Sequence, residues 1–101
     1  MISMKPGVRT FDCLQTETML GIIIAASVLE KYGYDLTITS VADGKHGPKS
    51  LHYAGYAFDF RTRMMRDGDK QIVASAVSKA LGDEYDVVAE KTHIHVEYDP
   101  D

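Results

Sequence analysis

Three of the four histidines in this 101-residue chain fall in two places where the neighbouring residue types suit metal chemistry. In His93-Ile94-His95 the two imidazoles are two apart. On a strand they leave the same face, while Ile94 and Val96 leave the other, toward a core. Such a pair makes two metal ligands, or one ligand and its catalytic neighbour; it also suits two polar residues on the wet side of an edge strand. The second place is Ser50-Leu51-His52-Tyr53-Ala54-Gly55-Tyr56-Ala57-Phe58-Asp59. In one continuous strand His52 and Asp59 would lie roughly 23 Å apart on opposite faces, and in a helix about 10 Å apart, so neither arrangement lets them share an ion. A turn at Gly55, before a strand beginning at Ala57, lets His52 fold back over Asp59, and Ala57 leaves space beside the carboxylate. Asp59 stands between Phe58 and Phe60, a costly place for a carboxylate unless it is paired or metal-bound, or simply faces solvent from an amphipathic strand.

Together His52, Asp59 and one of His93 and His95 supply three N/O ligands and leave a fourth position of a tetrahedral zinc ion open. Three protein ligands and an open position are the catalytic zinc pattern, whereas structural sites close with a fourth ligand, usually Cys. A general base is then needed, and Glu90 stands three residues before His93. Strict alternation puts Glu90 and His93 on opposite faces, so this role requires the turn Glu90-Lys91-Thr92 to reset the pattern.

These residues must be carried by a small set of elements. Thr16 or Thr18 caps a helix with Glu17 in its first turn, running to about Tyr32 and ending at Gly33. It is apolar nearly all round from Ile22 to Ala26, as a central core helix is. From Tyr34 to Val41 the chain alternates Leu36, Ile38 and Ser40 against Thr37, Thr39 and Val41, as a half-buried strand does. Two glycines and a proline in 42–49 preclude regular structure there. Ala57–Arg61 reads as a second strand. Asp67-Gly68-Asp69 opens a helix over 70–81, stopped by Gly82, with Ile72, Val73, Ala76, Val77 and Leu81 on one face. Tyr85–Ala89 and His93–Tyr98 read as two strands joined closely enough for a hairpin. The result is an α+β domain: a small, mostly antiparallel sheet with two main helices packed on it.

Composition bounds the chemistry. The length suits one domain, 1–101, with a modest core and little room for decoration, so a site must be built on the core elements. Eleven Lys and Arg against 15 Asp and Glu argue against nucleic acid as a partner, and against a nuclease. The lone Cys13 excludes an internal disulfide and a CxxC zinc knuckle, so any metal is held by His and carboxylate; Cys13 itself reads as a small half-buried residue. The apolar run from Met19 to Leu29 is far short of the roughly 18 to 20 residues that cross a bilayer, so no membrane partner is expected. Asp12 and Glu17 before that run stand against a signal peptide, which leaves the chain cytoplasmic as synthesised.

The order Ser50-x-His52-x-x-Gly55-x-Ala57-x-Asp59, followed by Glu90-Lys91-Thr92-His93-Ile94-His95, resembles the zinc peptidase family of D-alanyl-D-alanine carboxypeptidases and L-alanyl-D-glutamate endopeptidases. The wider group includes the hedgehog signalling domain. The resemblance covers roughly residues 36 to 99. It implies a hedgehog/DD-peptidase-like fold and a Zn²⁺ ion held by His52, Asp59 and His95. His93 would line the site, holding substrate or the developing oxyanion, and Glu90 would act as acid/base. Because some members place that carboxylate farther from the ligand, a reading with His93 as the third ligand stays open. Ser50 belongs to the motif, and His46 matches an accessory histidine of hedgehog-type members, or is a polar loop residue.

The implied reaction is hydrolysis, by metal-activated water, of a D-amino-acid-containing bond in a peptidoglycan stem peptide. Arg61 and Lys49, close in sequence to the metal motif, are candidates to pair with a substrate carboxylate, or are solvated surface charges. Tyr53 and Tyr56 would wall the cleft or pack. The compact size resembles phage-type lysis and tail-associated peptidases, which reach the cell wall after release or as part of a phage particle. The competing class is a non-catalytic metal-stabilised binding or phage structural module, closed by His46 as fourth ligand. Glu90 and His93 discriminate, since a structural site needs neither.

Overall fold

The computed structural model describes residues 2–6, 16–41 and 57–99. In chain order these form β1 (Ile2–Met4), α1 (Thr16–Lys31), β2 (Leu36–Val41), β3 (Ala57–Arg61), α2 (Asp69–Leu81), β4 (Tyr85–Ala89) and β5 (His93–Tyr98). The strands make one mixed sheet in the order β1-β2-β3-β5-β4. β1 runs parallel to β2, and the other neighbours are antiparallel. The α+β class and the largely antiparallel sheet expected from the sequence are therefore present, with one strand more.

That extra strand, β1, spans three residues, too few to show an alternation, and Ile2 and Ser3 are exposed. Pairing with β2 and the packing of half-buried Met4 against the core hold it: Ser3 lies opposite Thr37, and their hydroxyls are 3.1 Å apart.

Period-two patterning sends Leu36, Ile38, Phe58, Phe60, Ile94 and Val96 to the helix-covered face, where each is 1% exposed or less. Ile22, Ala25, Ala26, Val28 and Leu29 of α1 and Val73, Ala74 and Val77 of α2 complete this core. Burying one such large side chain contributes roughly 1.5–3 kcal/mol, so the core fixes which face of each strand is left for chemistry.

α1 ends as its sequence predicts. Gly33 sits at φ 85°, its N–H donates to Glu30 O (3.1 Å), and the Tyr34 N–H donates to Leu29 O (3.0 Å). This is a Schellman closure, with buried Tyr34 and Leu29 as its apolar pair. The helix is not buried all round, however. Met19, Leu20 and Ile23 are exposed, because α1 lies in a single helical layer with the sheet and α2 on its inner sides. Its Gly21 admits the Tyr85 ring: a Cβ there would stand 3.2 Å from Tyr85 Cε2, and the Tyr85 hydroxyl donates to Glu17 O (2.6 Å).

The second helix differs in two details. Its N-cap is Gly68, which offers no side-chain bond. Asp69, in the first turn, instead accepts from the Tyr34 hydroxyl (2.5 Å) and pairs with Arg66 Nε (3.2 Å), fastening α2 to the end of α1. Its buried stripe is Val73, Ala74 and Val77, while Ile72 is 51% exposed. Adjacent apolar pairs at 72–73 and 76–77 fit two rotations of the helix, and packing selects the one that buries Ala74.

Candidate metal centre

Asp59 and His95 face each other across the β3–β5 ladder. The same register opposes Arg61 to His93 and Ala57 to Glu97, and directly opposed residues share a face. Phe58 and Phe60 occupy the core side, with ring centroids 6.2 Å apart. Asp59, Arg61, His93, His95 and Glu97 therefore occupy the face away from the helices. β5 lies between β3 and β4, so the reading of His93 and His95 as residues of an edge strand is corrected: the topology places them inside the sheet.

β2 borders this row through an irregularity. Ile38 opposes Phe60, but Ser40, not Thr39, opposes Asp59, and Val41 opposes Phe58. The extra residue is a bulge that resets the alternation. Val41 thereby joins the core, at 3% exposure, and not the face of Thr37 assigned by simple parity. At the bulge the Thr39 hydroxyl donates to Asp59 O (3.4 Å).

The side chains form a connected cluster. His95 Nδ1 lies 2.8 Å from Asp59 Oδ1, and His95 Nε2 lies 3.2 Å from Glu97 Oε1. An ionised carboxylate only accepts, so both bonds form together when both ring nitrogens carry a proton. In keeping with this, the His95 pKa is raised, first by its hydrogen bond to Asp59 and then by that to Glu97, against an opposing effect of burial. His93 stands farther off, with Nε2 3.9 Å from Asp59 Oδ2 and Nδ1 3.2 Å from the Thr92 hydroxyl. Asp59 thus turns one oxygen toward each histidine, and it is the least exposed of the cluster, at 14% of its side chain.

Glu90 occupies the far side of a tight hairpin. Its N–H donates to His93 O (2.8 Å), one step beyond the Ala89–Ile94 pair, so the turn brings Glu90 and His93 opposite each other, as the base role requires. The Glu90 side chain is exposed and makes no hydrogen bond or ion pair among the described residues. Lys70 Nζ donates to the turn carbonyls of Glu90 (2.9 Å) and Lys91 (3.2 Å). Arg61, beyond His93, borders an open depression of about 490 Å³ with Tyr34, Thr37, Arg63 and Met64.

His52, His46 and Ser50 lie outside the described residues, as do Lys49, Tyr53, Tyr56, Cys13 and the turn at Gly55. Among the described residues no three His, Cys, Asp or Glu side chains are set around one point as a metal requires. Two members of the expected ligand set, Asp59 and His95, do converge. Their donor chemistry fits zinc: replacing the Nδ1 proton by an ion needs the two atoms to part only from 2.8 Å to about 3.3 Å, the edge of a tetrahedral zinc site.

Glu97 belongs to neither motif, yet it completes the cluster. Its signal was there, since His93-x-His95-x-Glu97 puts all three on one face of a strand.

No protein-family model matches the chain, and no curated protein matches it. Among the described residues, no helix is long and apolar enough to cross a membrane.

Proposed function

We propose that the chain is a zinc-dependent peptidase of the hedgehog/DD-peptidase type, which hydrolyses a D-amino-acid-containing bond in peptidoglycan stem peptides. The observation that carries this reading is the Asp59–His95 contact, 2.8 Å across the β3–β5 ladder on the helix-free face. It unites the last residue of one motif with the last residue of the other.

Asp59, His95 and His52 would hold the ion. When bound, zinc supplies a Lewis acid that makes water a nucleophile near neutral pH and polarises a carbonyl. The remaining work falls to side chains. Glu90, exposed at the hairpin, takes the proton of the attacking water and returns it to the leaving amine. His93, beside Asp59 and 32% exposed, donates a hydrogen bond to the carbonyl oxygen as negative charge develops there. Arg61, opposite His93, pairs with a substrate carboxylate and so fixes the direction in which the peptide lies.

A second reading is a non-catalytic metal-stabilised binding or phage structural module, which would use the same Asp59–His95 contact without Glu90. One experiment separates them. Purified stem peptides are incubated with zinc-loaded protein, with and without a chelator, and the products are read by mass. Chelator-sensitive release of a D-amino acid or of a stem fragment supports the peptidase; intact peptides in both arms favour the binding module.

A further inference from the structure

His95 has two ring nitrogens and two carboxylate neighbours, and the neighbours are not equivalent. Asp59 reaches Nδ1 from the adjacent strand, at the position where a ligand to a shared ion must stand. Glu97 reaches Nε2 from the same strand, two residues on, from the opposite side of the ring. An imidazole cannot offer both nitrogens to one ion, and the nitrogen left over needs an acceptor for its proton. Carboxylates commonly fill that place behind metal-bound histidines, where they fix the ring orientation and raise its basicity.

We propose that Glu97 is a positioning residue for the metal centre: it accepts the Nε2–H of His95, so that the ring presents Nδ1 to the ion it shares with Asp59. This rests on the zinc reading above and assigns Glu97 a role within it. Glu97 does not touch the ion or the substrate. Its own position is set by parity along β5, opposite Ala57, whose small side chain leaves room for the carboxylate. His93, by contrast, has the neutral Thr92 hydroxyl at Nδ1, 3.2 Å away, and Asp59 Oδ2 only at 3.9 Å from Nε2. The device therefore selects His95 over His93 as the third ligand.

The test uses the full ¹⁵N-labelled chain with zinc alone. Long-range ¹H–¹⁵N correlations identify which His95 nitrogen is metal-bound and which keeps its proton, and competition with a chelating indicator gives the zinc affinity of wild type, Glu97→Gln and Glu97→Ala. The expected result is Nδ1 bound and Nε2 protonated in wild type, and affinity lowered about 10- to 100-fold in Glu97→Ala. Glu97→Gln, whose amide oxygen accepts the same proton without the charge, should recover most of that loss. Ligation through Nε2, ligation by His93 in place of His95, or equal losses in both variants would overturn the assignment. The ring assignment in wild type needs no variant, so a poorly folded Glu97→Ala does not rescue the idea. If wild type holds no zinc, the metal reading and this inference fall together; zinc held as expected by a protein that cleaves no peptide removes the peptidase and leaves the role of Glu97 standing.

Discussion

Asp59 and His95 are 36 residues apart in sequence and 2.8 Å apart in space, joined by a hydrogen bond between directly opposed positions of β3 and β5. Both are largely shielded, at 14% and 18% side-chain exposure, so water competes weakly for the bond. With a protonated ring, this is a charge-assisted bond inside the sheet rather than a surface ion pair. In chelator-treated protein at pH 6, Asp59→Asn should therefore cost about 1.5–3 kcal/mol of unfolding free energy by urea titration. A change within the error of that titration would show that the pair contributes nothing to the fold.

The same bond sets a pH dependence. The folded-state pKa of His95 is raised above its ordinary value of 6.5, so the metal-free folded protein binds this proton more tightly than the unfolded chain does. The resulting stability is present in full below about pH 6.5 and is lost as pH rises through the folded value. The urea midpoint of chelator-treated protein should fall on going from pH 6 upward, and His95→Gln should flatten that part of the profile. A wild-type midpoint that rises with pH in step with the variant would contradict the assignment.

Gly21 and Tyr85 give a prediction about the scaffold alone. A valine at 21 meets Tyr85 Cε2 at 3.2 Å and Phe58 Cε1 at 3.5 Å from its Cβ, before its methyl groups are placed. Gly21→Val should destabilise by about 1–3 kcal/mol through overpacking. Tyr85→Phe keeps the ring but removes the hydroxyl's bond to the Glu17 carbonyl, and should cost about 1 kcal/mol. Both are read from urea midpoints, and an unchanged midpoint in Gly21→Val would mean that β4 does not pack on α1 as described.

Glu90 separates chemistry from metal binding. Glu90→Gln should leave zinc content at the wild-type level and lower the rate of stem-peptide hydrolysis about 10²- to 10⁴-fold, the usual contribution of a general base. An undiminished rate removes Glu90 from the mechanism, and loss of zinc would place its carboxylate at the metal instead.

Much of the scaffold is legible in the sequence because burial and period coincide. Phe58, Phe60, Ile94 and Val96 alternate cleanly with Asp59, Arg61, His93 and His95, so the faces of β3 and β5 follow from parity alone. Where packing chooses between equal patterns, sequence is silent: Ile72 or Ala74 can complete the stripe of α2, and only contact with α1 and β4 decides. The bulge that turns Val41 inward depends on the pairing of β2 with β3, a non-local fact. Ile2–Met4 is too short for any periodic signal. At the site, the two motifs name Asp59 and His95, but their meeting depends on the strand order β3-β5-β4, which places a hairpin's second strand beside β3. Glu97 had a local signal in its spacing and none in any motif.

The most direct test of the central claim is a calorimetric zinc titration of the wild-type chain beside Asp59→Ala and His95→Ala, with folding of each variant checked by circular dichroism. One zinc per wild-type chain and no stoichiometric binding to either folded variant are expected. Full binding retained by both variants, or none by the wild type, would contradict the claim.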